Sequence, residues 1–248
     1  MELQERITDY WNRRSPGFSA AVMDEITNGD GAHVQEAARK LGVRAGAKVL
    51  DVGCGPGYFE MLLGGTGAEF HAIDYSEGMA EAAKANIAAG GIEADVRRMD
   101  AQDLDYPDSF FDAVVSRNVL WSLPYPEAAY REMARVMKPG AKAYVCDGNY
   151  YLHIYDEPYR RRIRRDKGEE KAGSHCKFNN GDVDFKEIEE LAKDLPCSRV
   201  RRPQWDVEML CSLPVSDIEV KVRRFDTEDG GRLIGFFELF FTKEGSIE

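Results

Sequence analysis

Long apolar runs are missing from this sequence. No stretch approaches the length of a membrane span, and the N-terminus, Met1-Glu2-Leu3-Gln4-Glu5-Arg6, lacks the apolar core of a signal peptide. A cytoplasmic protein with no membrane contact is expected. Cysteine is scarce and scattered: Cys54, Cys146, Cys176, Cys197 and Cys211 stand far apart with no C-x-x-C pair, which argues against a disulfide framework and against a structural zinc site. No metal is expected. Cys54 and Cys146 read as small buried thiols, so a thiol-based catalytic role stays open only for Cys176, Cys197 and Cys211. Positive charge is in deficit. With 33 Lys and Arg against 44 Asp and Glu, the formal net charge of -11 disfavours a phosphate backbone as main partner and suits small substrates. There is no internal repeat, and 248 residues, 43% of them hydrophobic, suit one α/β core with added segments.

What is present centres on Val49-Leu50-Asp51-Val52-Gly53-Cys54-Gly55-Pro56-Gly57. An apolar run ending in a small acid reads as a strand buried on both faces, and the alternating glycines read as a tight turn feeding a helix. Glycine lets the backbone approach a ligand closely, and the free N–H groups that open the helix favour polar or negative ligand atoms. A second short strand, Glu69 to Asp74, ends in another acid, with Ser76 as N-cap of a following helix. Asp74 lies roughly 20 residues beyond the first glycine, where an adenosine ribose is usually gripped. A third strand, Glu93 to Met99, runs into Asp100, which can accept from an exocyclic adenine amine.

The rest of the chain fits around these elements. Residues 1–42 read as three amphipathic helices: Ile7, Tyr10 and Trp11 on the first, Phe18, Val22, Met23 and Ile26 on the second, and Val34 to Leu41 on the third. Phe110 to Ser116 is a fourth buried strand, a helix from Pro126 is closed by Lys138-Pro139-Gly140, and Ala141 to Asp147 is a fifth strand. Periodicity fades between Gly148 and Gln204, as in a lid or inserted cap. Ile218 to Phe225 and Arg232 to Lys243 then read as an antiparallel hairpin. The division expected is a helical lid over 1–42, a core over 43–147, a cap over 148–204, and a terminal helix and hairpin over 205–248 that completes the core sheet.

These residues resemble a class I S-adenosylmethionine-dependent methyltransferase, of the small-molecule kind similar to ubiquinone and menaquinone biosynthesis methyltransferases. The resemblance spans roughly residues 33–147. Beside the glycine turn it rests on Ile73-Asp74-Tyr75-Ser76-Glu77-Gly78-Met79, Asp100-Ala101, Phe110-Phe111-Asp112-Ala113-Val114 and Val136-Met137-Lys138-Pro139-Gly140. It implies a Rossmann-like, mostly parallel seven-stranded sheet with S-adenosylmethionine as cofactor and a small-molecule methyl acceptor, in a monomer or homodimer. Gly53, Gly55 and Gly57, with Cys54 among them, would then line the methionine and ribose part, and Asp51 would steady the turn or the ammonium group. Asp74 would hold the ribose hydroxyls, Tyr75 and Met79 would flank the adenine, Asp100 and Ala101 would meet its edge, and Ser116 would lie beneath the methionine. Tyr10, Trp11 and Arg14 resemble a Tyr-Trp-x-x-Arg stretch that closes over the cofactor, with Arg14 pairing its carboxylate. An ordinary amphipathic helix packed by Trp11 accounts for the same residues equally well.

A sulfonium methyl is already activated, so the protein need only place a nucleophile about 3 to 3.5 Å behind it and shield the site from water. Where the acceptor is a hydroxyl or protonated amine a base is needed, and His153, His175, Tyr150, Tyr151 and Asp147 are the candidates. Each of these is also an ordinary wall or core residue. Ser116-Arg117-Asn118-Val119 stands where adenine-N6 and glutamine methyltransferases carry Asn-Pro-Pro-aromatic, which disfavours both. The run Tyr159 to Arg165 could recognise a carboxylate or phosphate on the substrate, or a nucleic acid, but neighbouring acids offset its charge and a solvated helix face anchored by Tyr159 and Ile163 is the favoured reading. Two other classes remain open: an NAD-dependent oxidoreductase, against which the glycine spacing argues, and a non-catalytic S-adenosylmethionine-binding regulatory module.

Overall fold

The computed structural model describes residues 2–168, 178–179, 183–227 and 230–245. Among them, strands β1 (Lys48–Val52), β2 (Glu69–Asp74), β3 (Ala94–Arg98), β4 (Phe111–Arg117), β5 (Met137–Gly148), β6 (Val215–Asp226) and β7 (Arg232–Lys243) form one seven-stranded sheet of order β3-β2-β1-β4-β5-β7-β6. The first five strands run parallel, and β7 enters antiparallel between β5 and β6. Val49, Leu50 and Val52 of β1 are fully buried, as their continuous apolar run predicts for a central parallel strand covered on both faces. The order turns back on itself between β1 and β4, leaving a crevice beyond their carboxyl ends, where ligands gather in such sheets.

Helices α1 (Leu3–Asn28), α2 (Ala32–Leu41), α3 (Tyr58–Leu63), α4 (Glu77–Ala89) and α5 (Pro126–Val136) accompany the parallel strands. Where the spacing predicts two helices before Asn28, the chain forms one, with Pro16 inside it. Proline removes the N–H that would bond the carbonyl of Asn12. That oxygen takes the hydroxyl of Ser15 instead, at 3.0 Å, and the helix continues. α2 stops where expected, on Gly42 at φ +75°, its N–H returning to the carbonyl of Ala38. The Lys138-Pro139-Gly140 stop is shorter than expected: Met137 already pairs with Phe111, so β5 begins directly after α5 and passes through an irregularity before Lys142 pairs with Ala113.

After β5 come helices α6 (Glu157–Gly168), α7 (Phe185–Ala192) and α8 (Gln204–Leu210). Ile188, Leu191 and Ala192 of α7 share an apolar cluster with Ile7, Tyr10 and Trp121, so this segment docks on α1 and on the chain leaving β4. The arginine run lies on α6. Tyr159 is buried with its hydroxyl on the carbonyl of Ile234, Arg160 and Arg161 pair with Glu157, and Arg162 lies over the Phe225 ring. The side chain of Ile163 lies outside the described residues. No helix among the described residues is long and apolar enough to cross a membrane.

Candidate functional site

The cleft at the carboxyl ends of β1, β2 and β4 spans about 740 Å³ of empty space, open solvent included. Its floor is the glycine turn. The amides of Gly53 and Cys54 both donate to the carbonyl of Ile73 at 2.8 Å, which pins the turn to β2. Gly53 sits at φ +72°, and a Cβ there would lie 2.3 Å from Val119. At Gly55, φ +53°, a Cβ would project toward Phe18 across the cleft, 3.7 Å away. Only glycine keeps this floor low enough for a ligand to lie against the backbone. Gly57 differs: its φ of +92° starts α3 and its missing Cβ admits Ile87 and Ala83 of α4, so it serves helix packing and does not line the cleft.

Asp74 ends β2 with both oxygens engaged, Oδ2 accepting from Gly55 N–H at 3.0 Å and Oδ1 from Ser76 N–H at 2.9 Å. Each carboxylate oxygen retains room for a second donor, so the group can still receive a diol. Burial pushes its pKa up to about 6, against these two amides. Tyr75, Met79, Asp100 and Ala101 line the same cleft. Asp100 is held in place through Oδ1, which takes both the backbone and side-chain amides of Gln102 at 2.9 Å.

The roof is α1, through Gln4, Ile7, Thr8, Trp11 and Phe18. Trp11 packs edge-on against Phe18 at 5.5 Å and Trp121 at 6.3 Å. Tyr10 and Arg14, expected beside it, do not line the cleft. Both are 2% exposed, with the guanidinium of Arg14 5.4 Å from the Phe185 ring and 6.0 Å from that of Phe18. The arginine that faces the cleft is Arg117, at the end of β4, followed by Asn118 and Val119.

Other expected site residues lie just beneath. Ser116 is buried and ties β4 to β1 through its hydroxyl on the carbonyl of Val52, 2.9 Å away. Cys54 is buried and its thiol pushed well up, mainly by that burial and by Asp74. Asp51, 1% exposed, faces Glu60 of α3, and neither carboxyl receives a donor from another described residue. Burial, and then the neighbouring Glu60, push Asp51 well upward.

The base candidates are corrected by their surroundings. Asp147 is fully buried, its Oδ2 taking Arg202 Nη1 at 2.7 Å and Trp121 N–H at 3.1 Å, its Oδ1 taking Gly148 N–H at 2.8 Å. A carboxylate so enclosed holds structure and cannot reach an acceptor. His153 lies between the carbonyl of Tyr150 and Glu189, 3.3 Å from each, off the cleft. Tyr151 packs on Trp121 at 5.2 Å, and the hydroxyl of Tyr150 donates to Asn118 Oδ1 at 2.5 Å. His175 and Cys176 lie outside the described residues. Burial pushes Cys197 up to about 12, which leaves it a thiol, and Cys211 is exposed after α8.

Residues 50–145 match a family model described as a methyltransferase domain. Over these residues the chain is similar to class I S-adenosylmethionine-dependent methyltransferases. It is 30% identical over 146 residues to demethylmenaquinone methyltransferase of Clavibacter sepedonicus, covering 54% of this chain and 59% of that one. Over 107 residues it is 36% identical to ubiquinone biosynthesis O-methyltransferase of Xanthomonas euvesicatoria, covering 42% and 44% respectively. The chain thus spans about half the length of the curated relatives it matches. Two solved structures share the fold: a SAM-dependent methyltransferase from Aquifex aeolicus, at TM-score 0.52 and 20% identity over 84% of this chain and 88% of that one, and one from Methanosarcina mazei, at TM-score 0.56 and 20% identity over 84% and 97%. S-adenosylmethionine is the methyl donor of this family.

Proposed function

We propose that the chain transfers a methyl group from S-adenosylmethionine to a small organic molecule by in-line displacement. What supports this reading is the coincidence, in one cleft, of a floor without side chains at Gly53 and Gly55, a diol-accepting carboxylate at Asp74, and a second acid at Asp100 beneath an aromatic roof. The residues fit the donor: Asp74 receives the ribose hydroxyls, Tyr75 and Met79 flank the adenine, Asp100 and Ala101 meet its edge, and Gly53 and Gly55 lie along the thioether chain. Bound there, the sulfonium supplies an electrophilic methyl carbon. Trp11 and Phe18 exclude water from above and offer aromatic faces to the cationic centre.

The side chains that line the cleft include no histidine and no lysine among the described residues, and its two aspartates are assigned to the adenosyl group. The acceptor therefore brings its own nucleophile, as an anion or an electron-rich carbon, and the protein orients it. Calorimetry of the full chain with S-adenosylmethionine, S-adenosylhomocysteine and NAD tests the assignment. Binding of the two adenosyl ligands without NAD is expected. Binding of NAD alone would return the fold to the oxidoreductases.

A further inference from the structure

Arg117 supplies the cationic side chain among the described residues that line the cleft. It is not loose. Its Nη2 donates to both oxygens of Glu25, at 2.7 and 2.9 Å, and its guanidinium carbon stands 3.9 Å from the centroid of the Tyr58 ring. α1 and α3 thereby fix the plane of a side chain that is 19% exposed. Burial alone would depress its basicity, and Glu25 outweighs this, so the group stays charged. Its Nε and Nη1 donate to no described residue. A guanidinium fixed through Nη2, with Nη1 and Nε unspent on separate edges, keeps a positive charge and single N–H donors in the wall of the cleft, and such a group attracts an anion.

The next residue extends the same surface. Asn118 has φ +59°, a left-handed backbone that asparagine tolerates better than most residues. Its N–H is fixed on the carbonyl of Cys146 at 2.8 Å, and its own carbonyl accepts Trp121 Nε1 at 2.9 Å. Its Oδ1 receives the hydroxyl of Tyr150, and Nδ2 donates to no described residue. Two consecutive residues at the mouth of β4 thus offer unspent N–H donors beside the end of β1.

We propose that Arg117 and Asn118 form a subsite for a carboxylate-type anion. This rests on the methyl-transfer reading above. The anion has two possible sources, the methionine carboxylate of the donor or an acid group on the methyl acceptor, and in the first case the subsite takes the role first expected of Arg14. Tyr150 acts as a positioning residue, through Asn118.

The test is calorimetry of the full chain with S-adenosylmethionine, with decarboxylated S-adenosylmethionine, and with benzoate added to the S-adenosylhomocysteine complex. Arg117→Met is expected to weaken one carboxylate-bearing ligand by about tenfold or more, the usual cost of a lost charged hydrogen bond. Loss for S-adenosylmethionine with the decarboxylated analogue within about threefold of wild type assigns the subsite to the donor. Unchanged adenosyl ligands with loss of benzoate assign it to the acceptor. Equal loss for both adenosyl ligands, as from a merely structural ion pair, or no change in any titration, overturns the proposal. Arg117→Lys, which keeps charge without the fork, and Asn118→Gly, which keeps the left-handed backbone, repeat the comparison should the methionine variant fail to fold. A wild-type chain that binds neither adenosyl ligand refutes the methyltransferase reading itself.

Discussion

Asp74 accepts the amide of Gly55 at 3.0 Å, so the acid at the end of β2 and the glycine turn at the end of β1 are one mechanical unit. Burial holds that acid up to about 6. Hydroxyl donors favour its charged form, so ligand affinity should rise as pH rises through this value. S-adenosylhomocysteine is expected to bind about tenfold more weakly at pH 5 than at pH 7.5. Asp74→Asn should flatten the profile, and Asp74→Ala should cost at least about tenfold in affinity without unfolding the sheet. A wild-type affinity independent of pH would contradict the assignment.

Gly53→Ala sets a Cβ 2.3 Å from Val119 on a backbone at φ +72°. Two penalties act together, a clash and a left-handed alanine, the latter of about 1 kcal/mol. The variant should lose adenosyl-ligand binding. Adding Val119→Ala relieves the clash alone, so thermal unfolding should recover only partly. Full recovery would mean that the left-handed backbone contributes nothing.

Local features of the sequence carried much of this site. The glycine turn, the acid about twenty positions on and the acid after the third strand each depend on neighbours in the chain, and the structure brings Gly53, Gly55, Asp74, Tyr75, Met79, Asp100 and Ala101 to one cleft. Of the N-terminal residues expected at the cofactor, Trp11 lines the cleft and Tyr10 and Arg14 do not. Gln4, Ile7, Thr8, Trp11 and Phe18 line the cleft, whereas Tyr10 packs with Ile7 against α7, and the guanidinium of Arg14 stands 6.0 Å from the Phe18 ring and 5.4 Å from that of Phe185. A periodicity of 3.6 puts Ile7, Arg14 and Phe18 on adjoining rows of the helix and does not say which of them meets a ligand. Arg117 and Asn118 were within reach of the rule that ligands gather at strand carboxyl ends. Asp147 sits at such an end too, and its burial depends on Arg202, 55 residues later, which no local pattern announces.

Asp51 and Glu60 offer a stability test. Both carboxyls are raised above their ordinary values near 4, chiefly by burial. The unfolded chain releases its protons first as pH rises, so stability is greatest at acid pH and falls as the folded pair is forced to ionise toward neutrality. Glu60→Gln keeps a hydrogen bond to Asp51 and removes one ionisation. Its melting temperature should exceed that of wild type at pH 8, by the equivalent of about 1 to 3 kcal/mol, with the gain shrinking at pH 5.5. An equal loss at both values would show that the pair shares no proton.

The strongest dependence on a single side chain should be at Arg202. It is fully buried and joins Asp147 of β5 to Asp206 of α8, with Nη2 2.6 Å from Asp206 Oδ1, an oxygen that also accepts the Tyr130 hydroxyl at 2.7 Å. Asn149 closes the circuit, exchanging hydrogen bonds with the backbone of Arg202 at 2.8 and 3.1 Å. Arg202→Met leaves two carboxylates in the interior without their cation, at a cost of about 3 to 5 kcal/mol. Tyr130→Phe removes one neutral donor from a carboxylate still paired with arginine and should cost only about 1 to 3 kcal/mol. Combining Arg202→Met with Asp147→Asn and Asp206→Asn removes the stranded charges, so the triple variant should be more stable than the single one despite two more substitutions. Chemical denaturation of the four proteins gives the order directly, and a triple variant weaker than Arg202→Met alone would mean that packing, not charge, makes this arginine indispensable.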